Sequence, residues 1–346
     1  MKVSIFDVAK KSGLSVVTVS RVLNGAGTVR EKNRQRVLDA MKELDYRPSA
    51  AARSLARGKT GIIGLMLATL QDSFYDRIVS EINEILEEHG YYLAVSVTKF
   101  PPGETSHYLI QEDRVDGLIL LSPTEEDHYI EELKRRNIPY VLIDNQHEAN
   151  DDYSVTVNNF KGGYMAGQLL TELGCRSIAH LSGDEIYRST KERRAGFVKA
   201  LDDAGLEPFE LIRGKYETEF GYHTVKRWIA AGQLPDAVFA GDDYIAAGLI
   251  NAFKESGIRV PEDVSVVGYD DQDIASMLRP FVTTVRQPAN LIAEAAADLL
   301  LRQVGESQSG DEDEGKDEAA RLIGQRVDPE LIVRQSTRSI GTTTKE

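Results

Sequence analysis

Gly13-Leu14-Ser15-Val16-Val17-Thr18-Val19-Ser20-Arg21-Val22-Leu23-Asn24 is the stretch on which the reading of this chain turns. Gly13 can take positive φ after a first helix, in which Ile5, Val8 and Ala9 share a face. Ser15 stands where an N-cap should, ahead of a second helix whose apolar side is Val19, Val22 and Leu23. Val37, Leu38, Met41 and Leu44 give a third helix its apolar face. Two short helices joined by a tight turn and braced by a third, ending near Tyr46, predict a helix-turn-helix domain over residues 1–46. On the outer side of the second helix, Val17, Ser20, Arg21 and Asn24 fall together at helical spacing, a face free to enter a major groove. Arg21 suits guanine O6 and N7, and Val16 and Val17 offer methyl groups to thymine. Ser15, Thr18, Asn24, Arg30 and Arg34 complete the candidate contacts, the last four as phosphate holders. The alternative is a set of core valines and solvated arginines.

Charge along the chain supports this division. The net charge of -14 over 346 residues would argue against a nucleic-acid partner. Residues 1–60, however, carry 13 Lys and Arg against 5 Asp and Glu, or +8, leaving 28 against 50, or -22, for the rest. Charge this segregated marks two parts with different partners. Residues 47–60 contain good helix formers but only one bulky apolar side chain, Leu55, so a helix there would order only against a second chain or DNA.

Beyond Gly61 the pattern changes to apolar strands cycling with amphipathic helices. Strands are expected at Ile62–Leu67, Tyr92–Val97, Gly117–Leu121, Tyr140–Asp144, Ile178–Leu181, Ala237–Ala240 and Val264–Tyr269. Such runs read as parallel sheets covered on both faces. The fold class is therefore a helical headpiece plus an α/β core of two doubly wound lobes, of periplasmic-binding-protein type, over 61–346. The first lobe is expected at 61–158 and 287–320, the second at 159–286 and 321–340. Residues 306–318 hold seven acids and no apolar side chain, and read as a solvated loop. The single cysteine, Cys175, excludes an internal disulfide and reads as a small buried thiol. No apolar run is long enough to span a bilayer and no signal sequence opens the chain, so a cytoplasmic location is expected.

Ligands of doubly wound folds bind at the carboxyl ends of strands. Asp144, Asp242, Asp243 and Asp270 follow strands there, Arg193 can donate a fork to sugar hydroxyls or carboxylates, and Phe74 and Tyr216 can stack on a sugar face. Asp243 is assigned to the N-cap of its following helix rather than to ligand.

The whole chain resembles the lactose repressor (LacI/GalR) family. The resemblance is carried by Ile5-Phe6-Asp7-Val8-Ala9, Thr18-Val19-Ser20-Arg21-Val22-Leu23-Asn24, Tyr46-Arg47-Pro48-Ser49, Ala52-Arg53-Ser54-Leu55, Gly268-Tyr269-Asp270-Asp271 and Thr283-Thr284-Val285-Arg286-Gln287-Pro288. It covers residues 3–304 and resumes near Leu331. It implies that Val16, Val17 and Arg21 read bases, that Ser49, Ala52, Arg53, Leu55 and Ala56 belong to a DNA-contacting hinge, and that Leu55 from each monomer of a homodimer wedges into the central minor-groove step. It also implies a palindromic operator and a small effector, a sugar or sugar phosphate, held between the lobes by Asp72, Phe74, Asp144, Arg193, Tyr216, Asp242 and Asp270. The function implied is a repressor of carbohydrate genes, with no cofactor, metal or catalytic residue.

Departures matter. Asp242 stands where an asparagine or serine is more usual, and Asn145 stands where purine-binding members carry an aromatic, which disfavours a purine. The loop Phe100–Gln111 is short for the family. An enzyme would need a phosphate loop, nucleophile elbow or nearby histidine, and none accompanies the aspartates. A solute-binding protein would lack the basic headpiece. A phosphocarrier-responsive regulator would present basic residues where helix 290–304 is acidic and alanine-rich.

Overall fold

The computed structural model describes residues 3–23, 27–46, 59–98, 107–111, 114–309 and 324–339. Asn24 and the hinge residues Ser49, Ala52, Arg53, Leu55 and Ala56 lie outside the described residues, as do 310–318 of the acidic run and most of the loop 100–111.

In the headpiece, α1 (Ile5–Ser12), α2 (Val16–Leu23) and α3 (Glu31–Glu43) pack around Val8, Ala9, Val19, Val22, Val37 and Ala40. Gly13 closes α1 at φ 66°, its N–H donating to the Ala9 carbonyl. The Thr18 N–H donates to Ser15 Oγ at 3.2 Å, which makes Ser15 the cap of α2. One expected core residue points outward: Leu38 is 45% exposed. It sits about 100° around the helix from Val37; the core takes Val37 and Ala40, with Met41 and Leu44 packed at its margin.

The core begins with β1 (Ile62–Leu67), α4 (Ser73–Glu88), β2 (Tyr92–Val97), α5 (Tyr108–Gln111), β3 (Gly117–Leu121), α6 (Glu126–Arg135), β4 (Tyr140–Ile143), a 3-10 turn (Glu148–Tyr153) and β5 (Ser154–Val157). It continues through α7 (Asn159–Glu172), β6 (Ile178–Ser182), α8 (Arg188–Asp203), β7 (Glu210–Arg213), α9 (Thr218–Ala231), β8 (Ala237–Ala240) and α10 (Asp243–Glu255). Then come β9 (Ser265–Asp270), α11 (Asp273–Met277), β10 (Thr283–Arg286), α12 (Ala289–Ser309), β11 (Gln325–Val327) and β12 (Glu330–Ile332).

These strands build two sheets of the same plan, β2-β1-β3-β4-β5-β11 and β7-β6-β8-β9-β10-β12. All pairings are parallel except β10 with β12. Apolar clusters cover both faces of each sheet, which is why β1, β3, β8 and β9 read as nearly unbroken apolar runs. All seven expected strands are present, within one residue at each end. The strands absent from the sequence reading, β5, β7, β10, β11 and β12, are three or four residues long and carry polar or charged side chains. Cys175 is buried, as expected.

The chain crosses between lobes after Val157, after Arg286, and between Val327 and Glu330. The last crossing corrects the expected boundary at 321, because Gln325–Val327 pairs with β5 and completes the first sheet. Likewise α12 runs to Ser309, so the helix enters the acidic run rather than stopping before it. Among the described residues no helix is long and apolar enough to cross a membrane.

Candidate functional site: a headpiece face and an interlobe cavity

On α2, Val19 and Val22 are sealed in the core, while Val17 is 62% exposed and Arg21 is exposed. Ser20 is half-buried beside them. Val16 differs from expectation: it packs against the headpiece core and is half-buried, so less of it is free to meet a base. Thr18 is also committed locally, its hydroxyl lying 2.9 Å from Ser15 Oγ. Arg30 is exposed at the start of α3, and Arg34 lies 3.6 Å from Glu31.

In the core, a cavity of about 340 Å³ lies between the lobes, at the carboxyl ends of the strands of both sheets. All seven expected residues, Asp72, Phe74, Asp144, Arg193, Tyr216, Asp242 and Asp270, line it. The chain reaches it in separate segments, and each is set by local rules. Ser122 and Asp144 follow β3 and β4, and Asp270 ends β9, with φ of 47°, 57° and 91°, positive values uncommon outside glycine. That conformation ends each strand and turns its side chain into the cleft; strain of this kind gathers at ligand sites.

Arg193 is placed by helix packing. A Cβ at Gly163 would collide with the Arg193 carbonyl oxygen, and one at Gly196 with that of Phe160, so only glycine lets α7 and α8 meet backbone to backbone. Arg193 is buried, with its guanidinium 3.7 Å over the Tyr269 ring. Its Nε donates to Asn159 Oδ1 at 2.9 Å, its Nη1 to the Gly241 carbonyl at 2.9 Å, and its Nη2 lies 3.1 Å from Asp270 Oδ1. Burial, the largest influence, would lower its pKa, but Asp270, Tyr269, Tyr216 and Asp144 together outweigh it and the guanidinium is held charged more firmly than usual. Asp270 is pushed up to about 6 by burial, against the pull of Arg193. Burial raises Asp144 as well, with Ser122, Arg193 and Ser189 opposing. Asp242 is raised well above its ordinary range by burial and then by the charge of Asp270.

The assignment of the α10 cap requires correction. The Ile245 N–H donates to Asp242 Oδ1 at 2.7 Å, so Asp242, not Asp243, is the N-cap. Asp243 is the first helical residue, buried, and accepts from the Gln272 N–H at 2.8 Å. Asp242 therefore both caps α10 and faces the cavity. Asp72 has the same double duty, accepting from the Phe74 N–H at 2.8 Å as the cap of α4. Asn145 is not among the cavity-lining residues; its amide donates to the His147 carbonyl at 2.7 Å and to Asp151 at 2.8 Å. Because Asn145 does not line the cavity, the residue at this position does not disfavour a purine there.

Sequence reasoning missed Ser122, Tyr187, Ser189 and Gln287, which also line the cavity. Ser122 follows β3 and was open to the same strand-end rule; Ser189 lies one helical turn before Arg193. Tyr187 and Gln287 had no comparable local signal. The lobes also touch directly beside the cavity, Gln272 Nε2 donating to Asp72 at 3.1 Å and the Arg188 N–H to Gln146 Oε1 at 2.8 Å. Elsewhere Glu126, Asp127 and His147 bring candidate metal-ligating atoms within 4.8 Å of one another. The Glu126 carboxylate already accepts from the Gln146 and His147 amides and from Asn150.

A helix-turn-helix headpiece joined to a two-lobed core with a cleft between its sheets defines a class of ligand-controlled DNA-binding regulators. The model of bacterial regulatory proteins of the lacI family matches residues 4–49, and that of the periplasmic binding protein-like domain matches 168–337. The chain is 38% identical over 308 residues to the HTH-type transcriptional repressor PurR of Erwinia tasmaniensis, covering 87% of this chain and 90% of that protein. It is 34% identical to the protein of the same name from Mannheimia succiniciproducens, covering 97% and 99%. Among solved structures, the lac repressor dimer bound to operator and the anti-inducer ONPF superposes with a TM-score of 0.84 at 28% identity, covering 98% of this chain and 100% of that one. The complex of the transcriptional regulator CelR with cellobiose gives 0.70 at 29% identity, covering 97% and 100%. The chain belongs to the lacI family and is a DNA-binding transcriptional repressor.

Proposed function

We propose that this repressor binds a palindromic operator as a homodimer and that a small sugar-like effector in the interlobe cavity controls it. Residues 1–46 form the reading head and 47–60 a hinge that orders on bent DNA. Val17 and Arg21 read bases, Val16 contributing from its edge, and Ser15, Thr18, Ser20, Asn24, Arg30 and Arg34 position the helix on the duplex. Ser49, Ala52, Arg53, Leu55 and Ala56 act in the hinge. Effector binding changes the angle between the lobes, and with it the spacing of the two hinges.

The observation that carries the effector reading is the convergence of four aspartates, one buried arginine and aromatic rings on a single cavity. Carboxylates accept from vicinal hydroxyls, and rings cover the apolar face of a sugar. The CelR complex with cellobiose and a LacI-family regulator from Enterococcus faecium with bound ribose, at 29% and 26% identity, support the same reading. The lac repressor dimer on its operator supports the assembly.

The test is a thermal-shift screen of the full chain against mono- and disaccharides, sugar phosphates, nucleobases and nucleosides. Operator binding is then measured by fluorescence anisotropy with and without the best hit, on a symmetric duplex and on a random one. A sugar that stabilises the protein and changes only the symmetric-duplex affinity is expected. A shift produced by nucleobases alone would overturn the effector reading, and equal affinity for both duplexes would overturn the operator reading.

A further inference from the structure

The four cavity aspartates are each half engaged. Asp72 uses Oδ1 for Phe74, Tyr75 and Gln272; Asp144 uses Oδ2 for Ser122 and Ser189; Asp242 uses Oδ1 for Ile245; Asp270 uses Oδ1 for Gln287 and Arg193. Among the described residues no donor reaches Asp72 Oδ2, Asp144 Oδ1, Asp242 Oδ2 or Asp270 Oδ2, and none of these four oxygens is sealed away from the cavity as Asp243 Oδ1 is sealed. Several of the donors around the same space are committed, while Gln71, Tyr187 and Tyr244 also line it. Ser122 and Ser189 serve Asp144, Gln287 serves Asp270 at 2.6 Å, and Arg193 is held by Asn159, Gly241 and Asp270.

Two of the helix N-termini at the cavity, which elsewhere attract phosphate, are closed, whereas that of α8, beside Tyr187 and Ser189, carries no side-chain cap. Asp72 caps α4 and Asp242 caps α10, placing the chain's own carboxylates where an anion would sit. Arg193 is the only cation among the cavity-lining residues, against four carboxyls; beyond the effect of burial, the charges of Asp270 and Asp72 push Asp242 up, and those of Asp72 and Asp144 push Asp270 up.

From this geometry we infer that the cavity selects an uncharged, donor-rich effector, an unphosphorylated sugar or polyol, and rejects its phosphorylated and acidic counterparts. The free carboxylate oxygens accept hydroxyl protons, whereas a phosphate dianion would bring only acceptors and further negative charge to a site with four carboxyls and one cation. At a few ångströms and partial burial, like charges repel strongly enough to weaken binding by about 100-fold or more. This inference deepens the sugar-effector reading and rests on it.

The experiment is titration calorimetry of the full chain with each neutral sugar found by screening and with its phosphate ester, at fixed ionic strength. In parallel, inorganic phosphate is titrated as a probe that needs no identified effector. The neutral sugar should bind at least about 100-fold more tightly than its ester, and inorganic phosphate should show no saturable binding below about 10 mM. In Asp72→Asn, which keeps a cap oxygen for Phe74 but loses the charge, the gap between sugar and ester should narrow by about tenfold. A phosphate ester or sugar acid that binds as tightly as its neutral parent would overturn the inference while leaving the sugar reading intact. Saturable inorganic phosphate binding that Arg193→Lys weakens would do the same. If no sugar binds in any form, the sugar reading and the inference fall together, and the phosphate titration still reports separately on whether the cavity admits an anion.

Discussion

The headpiece and the interlobe cavity use polar side chains in opposite ways. Around α2 the groups proposed to meet DNA include the exposed Val17 and Arg21, carried on one short helix with no left-handed backbone. In the cavity they are buried or half-buried, come from segments as far apart as Asp72 and Gln287, and sit in part on left-handed backbone at Ser122, Asp144 and Asp270. The difference follows from the partner. A duplex is large and wet, and a convex face of correct charge suffices to meet it. A small ligand offers little surface, so its site must be preorganised, with each carboxylate oriented by a bond to the protein.

The comparison predicts that the largest stability loss lies in the cavity. Arg193→Ala would leave Asp270 buried without its partner and should cost about 3–5 kcal/mol in denaturant unfolding. A loss below about 1 kcal/mol would show that Asp270 is solvated or neutral, and that the cavity is looser than its bonding implies. The headpiece should behave in the other sense. Arg21→Ala should leave unfolding unchanged while costing about 1–3 kcal/mol on the symmetric duplex and less on random DNA. Equal losses on both would reassign Arg21 from base reading to phosphate contact.

A third prediction concerns the second lobe's core. His180 is buried against Phe197 and Phe239; its Nδ1–H donates to the Phe239 carbonyl at 2.9 Å and its Nε2 has no partner among the described residues. Burial lowers its pKa from 6.5 to about 4. Because the unfolded chain takes up the proton first, His180 removes stability as pH falls from about 6.5 towards 4, and adds no pH dependence above that window. Replacing it with leucine should therefore stabilise the protein relative to the parent by about 2 kcal/mol more at pH 5 than at pH 7.5. Parallel stability–pH curves for the two proteins would contradict a neutral, sealed His180. The smallest effect is expected at Ser15→Ala, where loss of the α2 cap should lower headpiece stability by about 1 kcal/mol, seen in headpiece amide exchange and not in the lobes. A change spread through the core would mean that headpiece and lobes unfold together.

These regions also differ in how far they could be read from the chain. The headpiece core, the caps at Gly13 and Ser15 and the outward face of Val17 and Arg21 follow from 3.6-residue spacing and local capping. The positions of Leu38 and Val16 do not, because each lies at the edge of an apolar stripe, where neighbouring helices decide what is covered. In the core, the long buried strands announce themselves, whereas β5, β7, β10, β11 and β12 are too short and too polar to be told from turns. The crossing at Val327 was invisible for the same reason.

By itself, the sequence determined the architecture, the family and the seven side chains that gather in the cleft, because strand ends obey a general rule and the motifs of this chain are specific. Only the tertiary structure decided how those side chains are used. It moved the α10 cap from Asp243 to Asp242, kept Asp242 in the cavity, removed Asn145 from it and left one oxygen of each cavity aspartate without a donor among the described residues. Which oxygen is engaged depends on donors such as Gln272, Gln287 and Ser189, brought within about 3 Å by the packing of two sheets and distant along the chain.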